Sequence, residues 1–542
     1  MSALVLIAIA LILFLVAYKT YGTYLAKKFD LDDSRETPAH TFNDGVDYVP
    51  AKAPVLLGHH FASIAGAAPI IGPVTAAVFG WVPAFLWIVL GGIFLGAVHD
   101  FSSIVASVRH KGKSIGAIID STIGDTGKRL FNIFAWLTLV LIIAAFANVV
   151  AKTFVKVPEA GTSSLLFIAI AILYGYFVYR NNFPVVLGTI IGVALLIFAI
   201  WFGVQYPLVL SFNTWVALML IYVVIASVVP VWILLQPRDY LNSFLLYAML
   251  GGAVIGLFFY NPKIEFVAFA GFETDLGWMF PVLFVTIACG AISGFHSLVS
   301  SGTTSKQLNK ESDAKLIGYG GMLIESTLAI IALITAIMLS QGDYAASLAD
   351  GGPVALFSRG VGSFLETLGF SYNVGVTFTS LVVSAFALTT LDTATRLGRY
   401  IFQELFESKD KATGTTKKNI GTNPYFATII TVLAAGSLAV GNWKAIWPIF
   451  GSANQLLAAI ALLAVSVWLA KIGKKNGFVK YPMYFMFAVT LSALAQLIYK
   501  NILGGKFVLS FVAIALFILA IVLAGFARKT LKQVSNNSGV SA

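Results

Sequence analysis

The chain has 542 residues, of which 58% are hydrophobic and only 11% charged, and its mean hydropathy is +0.89. A soluble domain carries about 25% charged side chains, so a water-exposed globular surface is excluded and an all-α integral membrane protein is expected. The formal net charge of +11 does not point to nucleic acid, because the basic residues sit singly or in small groups between apolar spans, as the cytoplasmic loops of membrane proteins do.

In chain order, the apolar segments predict about fifteen transmembrane helices, at 3–26, 60–79, 81–108, 129–151, 163–179, 184–204, 214–235, 240–260, 278–300, 316–340, 374–402, 424–441, 452–471, 481–499 and 506–527. The first has no basic residue before its apolar stretch and no small-residue cleavage site after it. It reads as a retained helix, with Lys19 snorkelling to an interface and Lys27 and Lys28 stopping translocation. With the N-terminus outside, most of the 35 basic residues fall on the cytoplasmic side, including Lys27, Arg109, Lys113, Lys306, Arg399 and Lys474. This predicts an N-out, C-in protein of the inner membrane. The polar stretches 27–57, 341–373 and 403–423 are too short for a second domain and suit re-entrant or interfacial pieces. Residues 114–123 suit the inner surface, and the polar tail 533–542 is expected to be disordered.

Two spans are unlike ordinary lipid-facing helices. Residues 58–73 read GHHFASIAGAAPIIGP, with Pro69, Pro73 and several small residues. Loose backbone inside a bilayer is tolerated where protein or a water-filled cavity satisfies it, and a half-helix N-terminus there can hold a carboxylate. The candidate site is the break at Gly66, Ala67 and Pro69, with His60 beside it; the alternative is a proline kink packed on small residues. Residues 290–306 read GAISGFHSLVSSGTTSK. Hydroxyls and glycines here predict a helix facing a polar interior and unwound near Ser293 and Gly294, with His296, Ser300 and Ser301 toward the cavity.

The two spans enter from opposite sides in the predicted topology, as the openings of two inverted repeats would. This divides one membrane domain into a first repeat at 58–204, inserted helices at 205–277, a second repeat at 278–471, and peripheral C-terminal helices and tail at 472–542.

Buried charge supplies candidate coupling groups. Asp392 lies among Thr389, Thr390 and Thr393, and an intramembrane carboxylate must be neutralised by a proton, a cation or a basic partner. An i,i+4 ion pair with Arg396 is the structural alternative. Asp100 beside His99, and Glu325 beside Ser326, are further relay candidates, although His99 and Asp100 lie in the last third of their helix, where a solvated or helix-capping role is an equal reading; Arg238 with Asp239 reads mainly as a loop anchor. Asn454 and Gln455 either satisfy backbone at a helix break or cap the thirteenth helix, and capping is the simpler reading. His59, His60, His99 and His296 lack any HxxxH or CxxC spacing, so no metal or other cofactor is expected. The single cysteine, Cys289, reads as a packing thiol.

These stretches together resemble the carbon starvation protein A family of peptide and pyruvate transporters. The resemblance rests on DGVDYVP at 44–50, GHHF at 58–61, GAVHDF at 96–101, QPRDYL at 236–241, GFH at 294–296, SSGTT at 300–304, IGYG at 317–320 and the run 386–396. It implies similarity to the amino acid, polyamine and organocation (LeuT-like) transporter group, with broken first and sixth core helices at 58–79 and 278–304. The expected function is secondary active import of a small carboxylate-bearing nutrient, a short peptide or pyruvate, by alternating access with proton coupling. The rival readings are a sodium-coupled amino acid carrier, with the ion at Thr389 and Thr390, and a membrane-embedded metal-dependent enzyme.

Overall fold

The computed structural model describes residues 2–45, 47–181, 183–409, 416–417, 419–440 and 443–538. Apart from two short β-hairpins, Glu273–Thr274 with Gly277–Trp278 and Ser408–Lys409 with Thr416–Lys417, its regular elements are helices. Among the described residues, eleven helices are long and apolar enough to cross a membrane. A twelfth is added if the pair Ala53–Ile64 and Ala68–Phe79, bent by 51°, is one span.

Every predicted segment is at least partly helical, yet by this measure the count of fifteen is not reached. The segments at 214–235 and 424–441 form helices of 17 and 16 residues, Phe212–Val228 and Pro424–Ala439, short of the roughly 20 that span a bilayer. The segment at 278–300 is split into Met279–Thr286 and Gly294–Gly302. One substantial helix was hidden by its polar composition. Gln341–Glu366 begins where the Ser340 hydroxyl accepts from the Asp343 amide, and it bends at Gly352. The φ of +74° at Gly352 favours glycine, and Pro353 follows it. The last helix, Phe507–Ser538, runs well beyond residue 527, so the predicted disordered tail is helical as far as Ser538; residues 539–542 lie outside the described residues.

Burial separates core from periphery. In the most apolar windows of Lys315–Ile337 and Ile446–Lys471, 94% of residues are buried, against 33% for Ala3–Lys28, 33% for Gly477–Leu503 and 28% for Phe507–Gln533. The first and the last two helices therefore present mostly side chains suited to lipid. Val185–Gln205 is more exposed still, at 22%. At the centre, the long helices Asp125–Lys156 and Tyr372–Phe406 pack along each other; Tyr372–Phe406 touches both broken helices, and Asp125–Lys156 reaches the first break through Phe146 beside Gly66.

The two broken helices run antiparallel. His60 Nδ1 lies 2.8 Å from Thr304 Oγ1 at one end of the contact, whereas Gly72 meets the Thr286 carbonyl and Ile287 at the other. Rising residue numbers on one helix thus meet falling numbers on its partner. A methyl group added at Gly72 would stand 2.6 Å from Thr286 O, so glycine sets how closely the backbones approach.

Candidate functional site

Each break frees backbone groups, and the structure shows what satisfies them. In the second broken helix, the carbonyl of Phe284 accepts from Gln455 Nε2 at 2.7 Å and from Trp87 Nε1 at 3.3 Å. The Ile287 carbonyl accepts from Trp87 Nε1 at 3.2 Å. Asn454 Oδ1 accepts from the Phe295 amide at 2.9 Å and so holds the start of Gly294–Gly302. Asn454 and Gln455 therefore serve the break; they cannot cap their own helix, which begins eleven residues earlier at Trp443.

In the first broken helix, Thr390 Oγ1 donates to the Ser63 carbonyl at 3.3 Å. A methyl group at Gly66 would lie 2.6 Å from the same Thr390 oxygen and 2.7 Å from the Phe146 ring. No described residue accepts from the amides of Ala67 or Ala68, and Pro69 has none to offer. Two unsatisfied donors thus stand at the N-terminus of Ala68–Ala76, where the helix dipole favours an anion.

A buried ionic network adjoins Thr390 on the same helix, through Thr389 and Asp392. Arg238 Nη1 pairs with Asp392 Oδ2, and the same carboxylate oxygen accepts from the Tyr222 hydroxyl at 2.7 Å. Arg238 Nη2 donates to Thr389 Oγ1 at 3.2 Å and to Asp239 Oδ1 at 3.4 Å. His59 Nδ1 lies 3.3 Å from Asp239 Oδ2. Arg238 is 1% exposed, and Asp239 and Asp392 are fully buried. Arg238 is therefore no loop anchor: it sits in the first turn of Leu235–Tyr260 and supplies the counter-charge of Asp392. Arg396 does not. Its Nη2 donates to the carbonyls of Ala226 and Val229.

A second cluster surrounds Asp100. His99 Nδ1 and His296 Nδ1 each lie 2.8 Å from one of its carboxylate oxygens. His296 Nε2 faces Glu325 Oε2 at 3.3 Å. Both ring nitrogens of His296 are turned to carboxylates, so His296 does not present them to a substrate in this conformation. His99 and His296 thus meet at Asp100, whereas His59 faces Asp239 and His60 faces Thr304; among the described residues, His296 joins Cys289 and Glu325 in a group whose donor atoms all lie within 4.8 Å.

Of the remaining predicted residues, Ser293 is bound to Asn454, and Gly294 is backed against the Asn454 carbonyl and the Ala458 amide. The buried hydroxyls of Ser63, Ser300 and Thr393 and the Nε2 of His60 have no hydrogen-bond partner. Ser301 lines a cavity of about 1150 Å³ shared with Gly112, Lys128, Lys306, Leu397 and Glu404. A smaller cavity, about 420 Å³, touches Ile71, Lys152, Gly352 and Ser380. Lys128 and Lys152 mark opposite ends of Asp125–Lys156, so the two cavities approach the broken helices from opposite ends.

A helical membrane protein with two antiparallel broken helices, a buried ionic centre and a cavity at each end is built as a secondary transporter with an inverted-repeat, LeuT-like core. A crystal structure of a manganese transporter variant from Eremococcus coleocola shares this fold, with a TM-score of 0.51 and 12% identity, covering 90% of this chain and 99% of that one. The chain belongs to the carbon starvation protein CstA family, whose model matches residues 2–350 and 345–493. It is 34% identical to a peptide transporter CstA of Campylobacter jejuni, over 87% of this chain and 77% of that protein. It is 33% identical to the pyruvate/proton symporter BtsT of Escherichia coli (87% and 78%) and to a peptide transporter CstA of Bacillus subtilis (88% and 87%).

Proposed function

We propose that the protein imports a small carboxylate-bearing nutrient, a short peptide or pyruvate, together with a proton across the inner membrane, with its N-terminus outside and C-terminus in the cytoplasm. Residues 58–204 and 278–471 act as the two inverted repeats that move against each other. The observation that carries this reading is the antiparallel crossing of the two broken helices between cavities at opposite ends. The names of the relatives support both substrate classes and, for one of them, the proton.

The substrate carboxylate meets the Ala67 and Ala68 amides beside Gly66 and Pro69. His60, Ser293, Gly294, Ser300 and Ser301 complete the chamber once the helices part. Coupling runs through Asp392. While ionised, it holds Arg238; once protonated, it releases the guanidinium, which then shares the substrate carboxylate with the Ala67 and Ala68 amides. Proton and substrate favour the same state, and by linkage each strengthens the binding of the other. Thr389 shares Arg238, and Thr390 connects this exchange to the break through Ser63 and Gly66. Thr393 lends its unpartnered hydroxyl.

The test is counterflow in proteoliposomes loaded with unlabelled substrate, using labelled alanine dipeptide, glycine, pyruvate and lactate, each under a proton or a sodium gradient. Exchange of the dipeptide or pyruvate with proton-driven accumulation supports the reading. Exchange of none of them, or sodium-driven uptake indifferent to pH, rejects it.

A further inference from the structure

The cluster of Cys289, His296 and Glu325 is left without a task by the carrier reading. Cys289 lies in the unwound link of the second broken helix, His296 in the first turn after it, and Glu325 on Gly321–Ile337. All three are buried, at 5%, 0% and 0% exposure. Neither oxygen of Glu325 has a hydrogen-bond partner, and neither has His296 Nε2. A buried carboxyl without hydrogen bonds is stable only when neutral or when a cation sits against it; among the described residues no Lys or Arg is paired with Glu325, and its one basic neighbour in reach is His296 Nε2 at 3.3 Å.

The surroundings prepare these atoms as ligands. Asp100 lies 2.8 Å from His296 Nδ1; with the proton held there, the Nε2 lone pair is directed at Glu325. This is the carboxylate–histidine arrangement that orients metal-bound imidazoles. Asp100 is itself fixed by His99 through its other oxygen. The Asn454 side-chain amide donates toward Cys289 Sγ at 3.6 Å, a contact that favours a thiolate acceptor. His296 Nε2 and Glu325 Oε2, 3.3 Å apart, already have the separation of two ligands on one small cation.

We propose that Cys289 Sγ, His296 Nε2 and a Glu325 carboxylate oxygen bind one divalent transition-metal cation of borderline softness, of the zinc class. Sulfur, nitrogen and oxygen donors in one set select such an ion over magnesium or calcium, which prefer oxygen alone. Thiolate and carboxylate together balance its double positive charge, which a buried site requires. The ion fastens the unwound link to Gly321–Ile337 and holds the second broken helix in register. It is a bound structural ion, separate from the Arg238–Asp392 exchange.

The test is elemental analysis of the full chain purified through a tag without histidines, as isolated and after incubation with zinc and desalting. About one equivalent of metal per chain is expected. C289S and E325Q should each lose most of it while eluting as the same folded species in detergent. D100N, which keeps all three ligands, should weaken zinc affinity by about 10- to 100-fold. Cobalt loaded into the wild-type protein should give a thiolate-to-cobalt absorption band that C289S lacks, a readout on the wild-type fold in case the variants misfold. A protein that holds no stoichiometric metal under either condition, or a C289S variant that binds as tightly as wild type, overturns the proposal. Counterflow on the same samples is independent: metal absent with counterflow intact rejects this site alone, and metal present without counterflow rejects only the carrier reading.

Discussion

Arg238 and Asp392, 154 residues apart in the chain, form a fully buried ion pair that also engages Tyr222 and Thr389. Taking two charges out of water is unfavourable, and removing either partner leaves the other bare. Such a pair is sensitive to protonation and to any anion that competes for the guanidinium, which is why it suits a carrier that moves both.

The pair can be taken apart one member at a time. R238Q strands the Asp392 carboxylate and should destabilise the protein by about 3–5 kcal/mol, seen as a lower melting temperature in detergent. R238Q with D392N removes both charges and should recover most of that stability without restoring uptake. A double variant that transports at the wild-type rate would remove Arg238 from the mechanism. R238K keeps the charge but loses the two-pronged geometry, and its uptake should fall by about tenfold or more.

Gly72 tests the crossing of the broken helices. G72A places a methyl group 2.6 Å from the Thr286 carbonyl, and overpacking of this kind is destabilising by about 1–3 kcal/mol. The counterflow rate should drop by about tenfold. Gly251 has nothing within 4 Å of an added Cβ, so G251A should transport at nearly the wild-type rate. Equal rates for the two variants would mean that the close approach at Gly72 is irrelevant to transport.

Glu311 ties three segments together outside the broken helices. Its carboxylate accepts from Arg109 Nε at 2.8 Å and Nη2 at 2.9 Å, from the Asp32 amide at 3.0 Å and from Arg35 at 3.3 Å. Arg109 retains 25% exposure, so E311Q should be destabilising by less than a fully buried pair would imply, about 2 kcal/mol. Thermal unfolding should show the loss, while transport per folded molecule changes little. An unchanged melting temperature would show that the cluster contributes nothing.

Much of the framework was legible because bilayer physics writes it into composition. The apolar runs locate the helices, and the prolines and glycines of 58–73 locate the first break; the second lies at 287–293, overlapping the expected unwinding at Ser293 but ending before Gly294, which begins the next helix. The Gln341–Glu366 helix escaped because Asp343, Asp350, Gly351, Gly352 and Arg359 interrupt any apolar pattern, although one face is buried. The site was less legible. Arg396, four residues from Asp392, was the obvious local partner, whereas the actual one arrives from another helix through tertiary packing that no spacing records. The QPRDY run was the available signal, since a charged pair beside an apolar span can turn inward as well as outward. Cys289 and Glu325 gave no local sign of meeting, because a break and a separate helix bring them together.

The most direct test of the account follows protons and substrate in the same proteoliposomes. Adding the transported substrate to the outside should draw protons inward with the wild-type protein, and an inward proton gradient should drive accumulation. D392N, which mimics the protonated carboxyl permanently, should keep counterflow but show no substrate-driven proton movement and no accumulation. Its apparent affinity should stay flat with pH, whereas that of the wild type weakens as pH rises. If D392N still concentrates substrate on a proton gradient, Asp392 does not carry the coupling proton and the exchange at Arg238 is contradicted.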